Sequence, residues 1–530
     1  MNTAGEQDGT SGATTSTSLR TWLRSWRYFF VLLGLTLAVG LFYVEENWRG
    51  HRAWLNYQRE LQIRGEPAEA SSVIPPPVPE DKNFAATPLL APLFQFIPGS
   101  QHWSDTNALT RAQGFAPWYD AAARVLKTEK TAHSNSWVLS RTDLAAWQAA
   151  FLAATNKDSK EYFAAEVRST SIQEVAEGVL AGLSETDPVL EELRANSHRP
   201  FSRFDLRYGE ANPAAIVLPH LASLKHICQI LQLRASAELA LGKMDQAYED
   251  IHLIFFITDA TRDEPILISH LVRMTEFRMA LQPLTEGMER WSEPQLRAFQ
   301  QRLQRFDFVG DLKRTLAAER VLLGCGVIEY LRRSPKEFSA LAGGGGGLPD
   351  VIWTAVPGGW FDFEKVNYCR LFDQYPTPCP AQDSRRISPT STAAADARVA
   401  DFVAKNAFVS FIRHRTFSKL IMPSLTGALA KTAFAQTGAQ AAATACALER
   451  FRLAKGDFAE SLDALRPGYM ERPPSDIIDG QPLRYKRNGK TSYVLYSIGW
   501  NMIDDGGIIA AGKSEGEEQK NGDWVWRNEW

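Results

Sequence analysis

The run Tyr28–Val44, YFFVLLGLTLAVGLFYV, constrains this chain more than any other stretch. It carries no charge across 17 residues. A bilayer core needs about 20 apolar residues of helix, with about 17 as the lower limit. Trp26, Tyr28 and Tyr43 place amphipathic rings where the two interfaces would fall. A cleaved signal peptide would have a shorter apolar run and then a small-x-small site. Here Glu45, Glu46, Asn47 and Trp48 follow, so the run is expected to stay as an anchor. Arg20, Arg24 and Arg27 precede it, while Arg49, Arg52, Arg59 and Arg64 follow. Counting Lys and Arg therefore does not set the orientation. The short tail at 1–27 favours a cytoplasmic amino terminus with the large domain on the far side.

The chain has 530 residues, enough for several domains. It is 45% hydrophobic and 22% charged, which places it among globular proteins. A net charge of −3 offers no basic field for nucleic acid. Of the five cysteines, Cys228, Cys325 and Cys446 lie in apolar, helix-like surroundings and read as small buried hydrophobes. Cys369 and Cys379 lie in YCRLFDQYPTPCP, where a disulfide closing a short loop is expected if the compartment is oxidising. The oxidising side of a membrane agrees with the orientation above.

Read in order, the chain divides into a disordered tail (1–27), the apolar helix (28–44), and a helical stalk with a proline linker (45–83). A helical domain (84–336), a Gly/Pro-rich irregular insertion (337–395), a helix-plus-hairpin module (396–510) and a tail (511–530) follow. Glu45–Arg64 has helical composition, so the anchor should continue outward as a rod until Gly65 and Pro67 stop it. SSVIPPPVPEDKN, 71–83, should be an extended spacer. The strongest helical block is 213–288. Pro219 opens its first helix, Gly242 ends it, Asp245 caps a second, and Pro265 opens a third. Leu241, Gly242 and Ala247 carry the spacing of a tetratricopeptide hairpin, but once only, so an ordinary hairpin is expected. The fold class is mainly α: a multi-helix domain with a small carboxyl-terminal α+β module, behind one transmembrane helix.

In that module, LRYKR and KTSYVLYSI form two strands joined at Asn488-Gly489, the strongest short hairpin signal. A two-residue turn there puts Leu483, Tyr485, Val494 and Tyr496 on one face. Residues 446–507 resemble the carboxyl-terminal half of the major pseudopilin of type II secretion systems. The likeness rests on Gly456, Phe458, Leu462, Leu465, Asp479, Gly480, Tyr493, Leu495, Tyr496, Ser497 and Gly499. The prepilin cleavage motif is missing, so the chain is not itself a pseudopilin. As a whole it also resembles a group of uncharacterised bacterial membrane-anchored proteins with this ending. These resemblances imply a bacterial inner-membrane protein with a periplasmic domain. They also imply calcium in the loop after the strand, where Asn501, Asp504 and Asp505 stand. Calcium takes six to eight oxygens, and only these three side chains can be named, so a plain polar turn is the competing reading.

Catalytic motifs are missing. HExxH, GxSxG, SxxK and GxGxxG do not occur. Gly489-Lys490-Thr491 imitates the end of a phosphate loop, but it sits in a hairpin and Arg484 occupies the place of the first glycine. Glu249 and His252 make a single ExxH, where a di-iron bundle needs two. His252 should therefore be a surface or capping histidine. His198, Arg199, Arg203 and Arg207 in HRPFSRFDLRYG form a basic patch whose arginine stems should pack on Phe201, Phe204 and Tyr208. The sequence points to a tethered envelope scaffold that contacts lipid and a protein partner. An envelope hydrolase with a site no linear motif reveals is the alternative.

Overall fold

The computed structural model describes residues 15–97, 100, 102–114, 116–126, 133–134, 136–137, 140–155, 171–341, 350–375, 386–404, 406–422, 425–508, 511–512 and 520–528. The chain is mainly helical, with one small three-stranded sheet and an apolar amino-terminal helix. It forms two compact units. Unit 1 draws on Met1–Gly65, Ile328–Tyr368 and Asn406–Leu420; unit 2 takes the remainder.

Unit 1 is built on one helix, Thr15–Ile63, 49 residues long. From Trp26 to Val44 its large apolar side chains are exposed; Tyr28 is 72% and Leu41 69% exposed. Past Val44 the same helix becomes a core element. Glu46, Gly50, Tyr57 and Leu61 are buried. The expected bare stalk is therefore replaced by packing. Residues of 328–368 and 406–420 form a collar around Tyr43–Trp54 whose own core is aromatic. Trp353, Phe361, Phe338, Phe411 and Phe417 sit with ring centroids 4.6 to 6.4 Å apart.

The 337–395 insertion is not irregular throughout. Helices Asp350–Thr354 and Gly358–Phe372 lie within it, and Pro389–Val403 begins in it and runs past its end. Their shortness and flanking Gly and Pro hide them from periodicity, since tertiary contacts rather than an amphipathic stripe hold short helices.

Unit 2 is centred on three consecutive helices, Pro219–Ala240, Met244–Ala260 and Leu267–Glu286, which pack on one another. Gly242, at φ +73°, makes the turn between the first two, a conformation that glycine adopts without a Cβ penalty. Asp245 falls inside the first turn of the second helix, whose cap position is Lys243. The helix Leu425–Lys455 lies against Leu267–Glu286, Glu293–Leu303 and Phe308–Ala318. Its alanines let neighbours approach closely, and 22 of its 31 residues are buried, so it is a core helix of this unit.

The proline segment does not stand free. Arg199 donates to the carbonyls of Glu80 and Asn83, Arg203 to that of Pro75, and Arg207 to that of Ser100. Asn83 and Arg203 also exchange a reciprocal pair of 2.8 Å bonds. Residues 75–100 are thus held on unit 2 by the arginines of the basic patch. Of their stems, Arg207 packs over Phe96, 3.9 Å from the ring centroid.

The hairpin strands are Arg484–Asn488 and Ser492–Ser497, with Trp524–Arg527 as a third strand beside the second. Asn488 pairs with Ser492, so the turn holds three residues, with Gly489 at φ +72°. Tyr485 consequently pairs with Leu495 and Arg484 with Tyr496. One residue of slip exchanges the faces. Tyr485 shares its side with Tyr493 and Leu495, not with Val494 and Tyr496. The expected tail at 511–530 instead supplies Trp524, Val525 and Trp526, each at most 2% exposed.

Candidate functional site

The feature with the clearest functional geometry is the junction in unit 1 where the apolar run ends. Glu46, two residues past Val44, accepts 3.0 Å from the indole Nε1 of Trp360 and also receives Arg49. Asn47 Oδ1 accepts 2.8 Å from the Gly359 amide. The Tyr43 hydroxyl donates to the Ala355 carbonyl. Four residues along, Gly50 touches Gly359 directly; a Cβ on Gly50 would stand 2.0 Å from the Gly359 carbonyl oxygen. Lys365 lies 4.7 Å from the Trp54 ring and 2.7 Å from Asp362. Polar groups just beyond the apolar run are therefore paired inside the collar. Glu364 closes it from within, accepting from the Thr416 and Ser418 amides and from the Ser418 hydroxyl. Burial raises its carboxyl to about 7, although those donors favour the charged form.

Unit 2 holds several buried ionisable groups. His220 Nε2 stands 2.7 Å from Glu264, and both are buried. Glu276 is buried nearby, and desolvation raises its carboxyl well above the usual range. Glu238 and Asp250 share Arg234, with Arg194 also on Asp250; burial, then the Asp250 charge, holds Glu238 up to about 8. His252 is half-buried and not freely exposed. It packs against Tyr248 and Phe299 at 4.3 and 5.6 Å, and burial lowers it to about 4. These groups are enclosed in helix packing.

Two grooves open on unit 2. One, of about 220 Å³, is lined by Trp137, Ile268, Leu271, Phe434, Arg278 and Lys431. The other, of about 610 Å³, runs between the proline segment, Arg199–Arg203 and Asp259–Asp263. Among the residues lining either groove, no nucleophile stands beside a histidine or carboxylate base, the arrangement hydrolysis by an activated side chain would use.

In the loop expected to take calcium, two of the three residues are bonded to each other. Asn501 Nδ2 donates to Asp505, and Asp504 Oδ1 accepts from the Gly506 amide and the Tyr496 hydroxyl. Asn501 and Asp505 bind each other while Asp504 is bonded elsewhere, so these three side chains alone supply fewer than the six to eight oxygens calcium takes. Asp523, which sequence reading missed, enters the same loop by accepting 2.7 Å from the Gly507 amide. Among the described residues no group of three or more His, Cys, Asp and Glu is arranged to hold a metal.

Cys369 sits on the helix Gly358–Phe372, not in a loop, and is fully buried. Its Sγ lies 3.4 Å from that of Cys325. Its expected partner Cys379 lies outside the described residues. Comparison of the chain with known protein families, characterised proteins and solved structures finds no match.

Proposed function

We propose that the protein is a single-pass membrane-anchored envelope protein, with a helical unit 2 that serves as a non-enzymatic platform for a protein partner. One observation carries the anchor. The helix is apolar and open all round from Tyr28 to Phe42, then carries a paired and packed side from Tyr43 and Glu46 onward. Exposed apolar surface of that length is stable only in lipid. The large domain is assigned to the periplasm, the side that the likeness of 446–507 to a pseudopilin supports. The partner surface is assigned to the apolar groove at Ile268, Leu271 and Phe434, which Arg278 and Lys431 flank. The resemblance of 446–507 to a pseudopilin supports an envelope assembly as the setting.

Carbonate extraction of native membranes tests the anchor; recovery of the full chain in the soluble fraction would refute it. A reporter fused after Trp530 tests the side, and activity in the cytoplasm overturns the periplasmic assignment. Cross-linking in native membranes tests the platform. That reading fails if no partner is captured while the purified full chain hydrolyses a generic ester, phosphate or peptide.

A further inference from the structure

The segment Asn406–Lys419, NAFVSFIRHRTFSK, carries Arg413, Arg415 and Lys419 and no acidic residue. Its first helix, Ala407–Ile412, turns Phe411 inward, onto Trp353 at 5.3 Å and Trp360 at 5.2 Å. Phe408 and Ile412, four apart and so on one face, point outward and are 71% and 52% exposed. Among the described residues nothing in the unit covers them, although large apolar side chains four apart on a helix normally mark a buried stripe.

Their height along the anchor helix is set by the collar. Trp360, against which Phe411 packs, is bonded to Glu46, and His414 stacks on Trp360 at 4.6 Å and on Phe363 at 4.9 Å. Glu46 lies about 3 Å past Val44 at 1.5 Å per residue. The polar layer flanking the hydrocarbon core is about 5–7 Å thick on each side. The helix Ala407–Ile412 therefore stands at the level of the headgroups. Trp48, 59% exposed with the Arg52 guanidinium 5.2 Å over its ring, occupies the same level on the anchor helix. An apolar face with basic neighbours and an indole at one height is the composition of a segment that lies in a membrane interface.

We propose that unit 1 makes a second membrane contact, in which Phe408 and Ile412 enter the headgroup layer of the leaflet the anchor leaves, with the exposed Arg413 beside them facing anionic lipid. This rests on the reading of Tyr28–Val44 as a bilayer span. The occupant is the bilayer and not a protein, because the face is continuous with the level at which the anchor emerges and its charge complements anionic headgroups.

The test uses the full chain in vesicles of phosphatidylethanolamine and phosphatidylglycerol doped with a phospholipid carrying a photoactivatable diazirine near its glycerol. Adducts are mapped by mass spectrometry. Adducts are expected both in 28–44 and in 407–412, and Phe408→Ser with Ile412→Ser should abolish the second set while leaving the first. Adducts in 28–44 with none in 406–420 overturn the second contact and leave the anchor intact. No adducts in 28–44 overturn the anchor, and the second contact with it. Adducts at 407–412 that persist in the double variant overturn the role of these two side chains.

Discussion

Gly359→Ala should unseat the collar from the anchor helix while leaving unit 2 folded. A Cβ at position 359 would meet the Glu46 carbonyl oxygen at 2.2 Å and the Asn47 Cα at 2.7 Å. Both obstacles are backbone of a continuous helix, so neither can rotate away. The first turn of Gly358–Phe372 must retreat by about 1 Å, because close-packed interiors begin contact near 3.4 Å. That retreat breaks two bonds at once, Gly359 amide to Asn47 at 2.8 Å and Trp360 indole to Glu46 at 3.0 Å. Overpacking costs about 1–3 kcal/mol, and each lost bond adds about 1 kcal/mol. The gain from replacing glycine in a helix, at most about 1 kcal/mol, works the other way. The net loss of about 2–4 kcal/mol should speed amide exchange in unit 1 by roughly 30- to 1,000-fold. Hydrogen exchange on the full chain in lipid nanodiscs reads this directly in peptides from 358–367 and 406–420. Gly40→Ala is the control, since no atom lies within 4 Å of a Cβ there. Unchanged protection in Gly359→Ala, or an equal loss in Gly40→Ala, would refute the close approach.

A chain begun at Glu45 should keep collar protection, and one begun at Glu66 should lose it while the helices of unit 2 stay protected; collar protection in the shorter chain would show that the helix is dispensable. Arg273 is 1% exposed and binds Asp311 at 2.5 Å, Asp259 at 2.8 Å and the Thr258 carbonyl at 2.9 Å. Arg273→Met should destabilise unit 2 by about 1–3 kcal/mol, since it removes the donor to the Thr258 carbonyl and one of the cations on the buried Asp311, which keeps Arg262 and Arg314; a loss under 1 kcal/mol in denaturant unfolding would contradict the network. Burial pushes the Cys369 thiol well up, so it should resist alkylation until the chain unfolds. Oxidation during refolding should join Cys369 to Cys325, and a peptide map showing Cys369 bonded to Cys379 would overturn this. Burial holds Glu238 up to about 8 and Glu319 and Glu449 to about 7. These carboxyls keep protons in the folded state that the unfolded chain has released above about 4.5, so each lowers stability as pH rises, by up to about 1.4 kcal/mol per pH unit. His252 and His270, lowered to about 4 and about 3, act in the opposite sense, but only until about pH 6.5. The melting temperature should fall between pH 6.5 and 8, and Glu238→Gln should flatten the fall; a rise over that window would refute the assignment.

What was legible in the sequence was local. The anchor run needs no neighbour to be recognised, and the block from Pro219 to Glu286 carries its own start and stop residues. What was not legible depended on residues far apart in the chain. Gly358–Phe372 has no clean stripe because its partners come from 43–54 and 411–418. The arginines of 199–207 looked like a basic patch because their acceptors are backbone carbonyls 107 to 128 residues away, which no side-chain pattern reveals. Trp524–Arg527 has strand composition, yet it makes sense only beside Ser492–Ser497. The hairpin failed on one residue. Asn488-Gly489 fits a two-residue turn, but the pairing of Asn488 with Ser492 places Tyr485 against Leu495, where its hydroxyl reaches the Ala459 carbonyl at 2.7 Å.

The length of the Thr15–Ile63 helix has a physical consequence of its own. A span needs about 20 residues, and this helix has 49. The surplus beyond Val44 is the core of unit 1, whose other pieces come from Ile328–Tyr368 and Asn406–Leu420. The collar cannot slide along it. Gly50 and Gly359 meet at a contact that admits no Cβ, and Glu46 and Asn47 are each bonded to one residue of the collar, Trp360 and Gly359. A shift by one turn, 5.4 Å, would set Arg49 or Gly50 where Glu46 receives the indole and would close the glycine approach. The position of the collar relative to the last apolar residue is therefore fixed more finely than the thickness of the headgroup layer. On the anchored reading proposed above, the helix that holds the chain in lipid would also determine how deep the folded unit sits, and the exposed pair Phe408 and Ile412 would fall where that depth makes exposure tolerable.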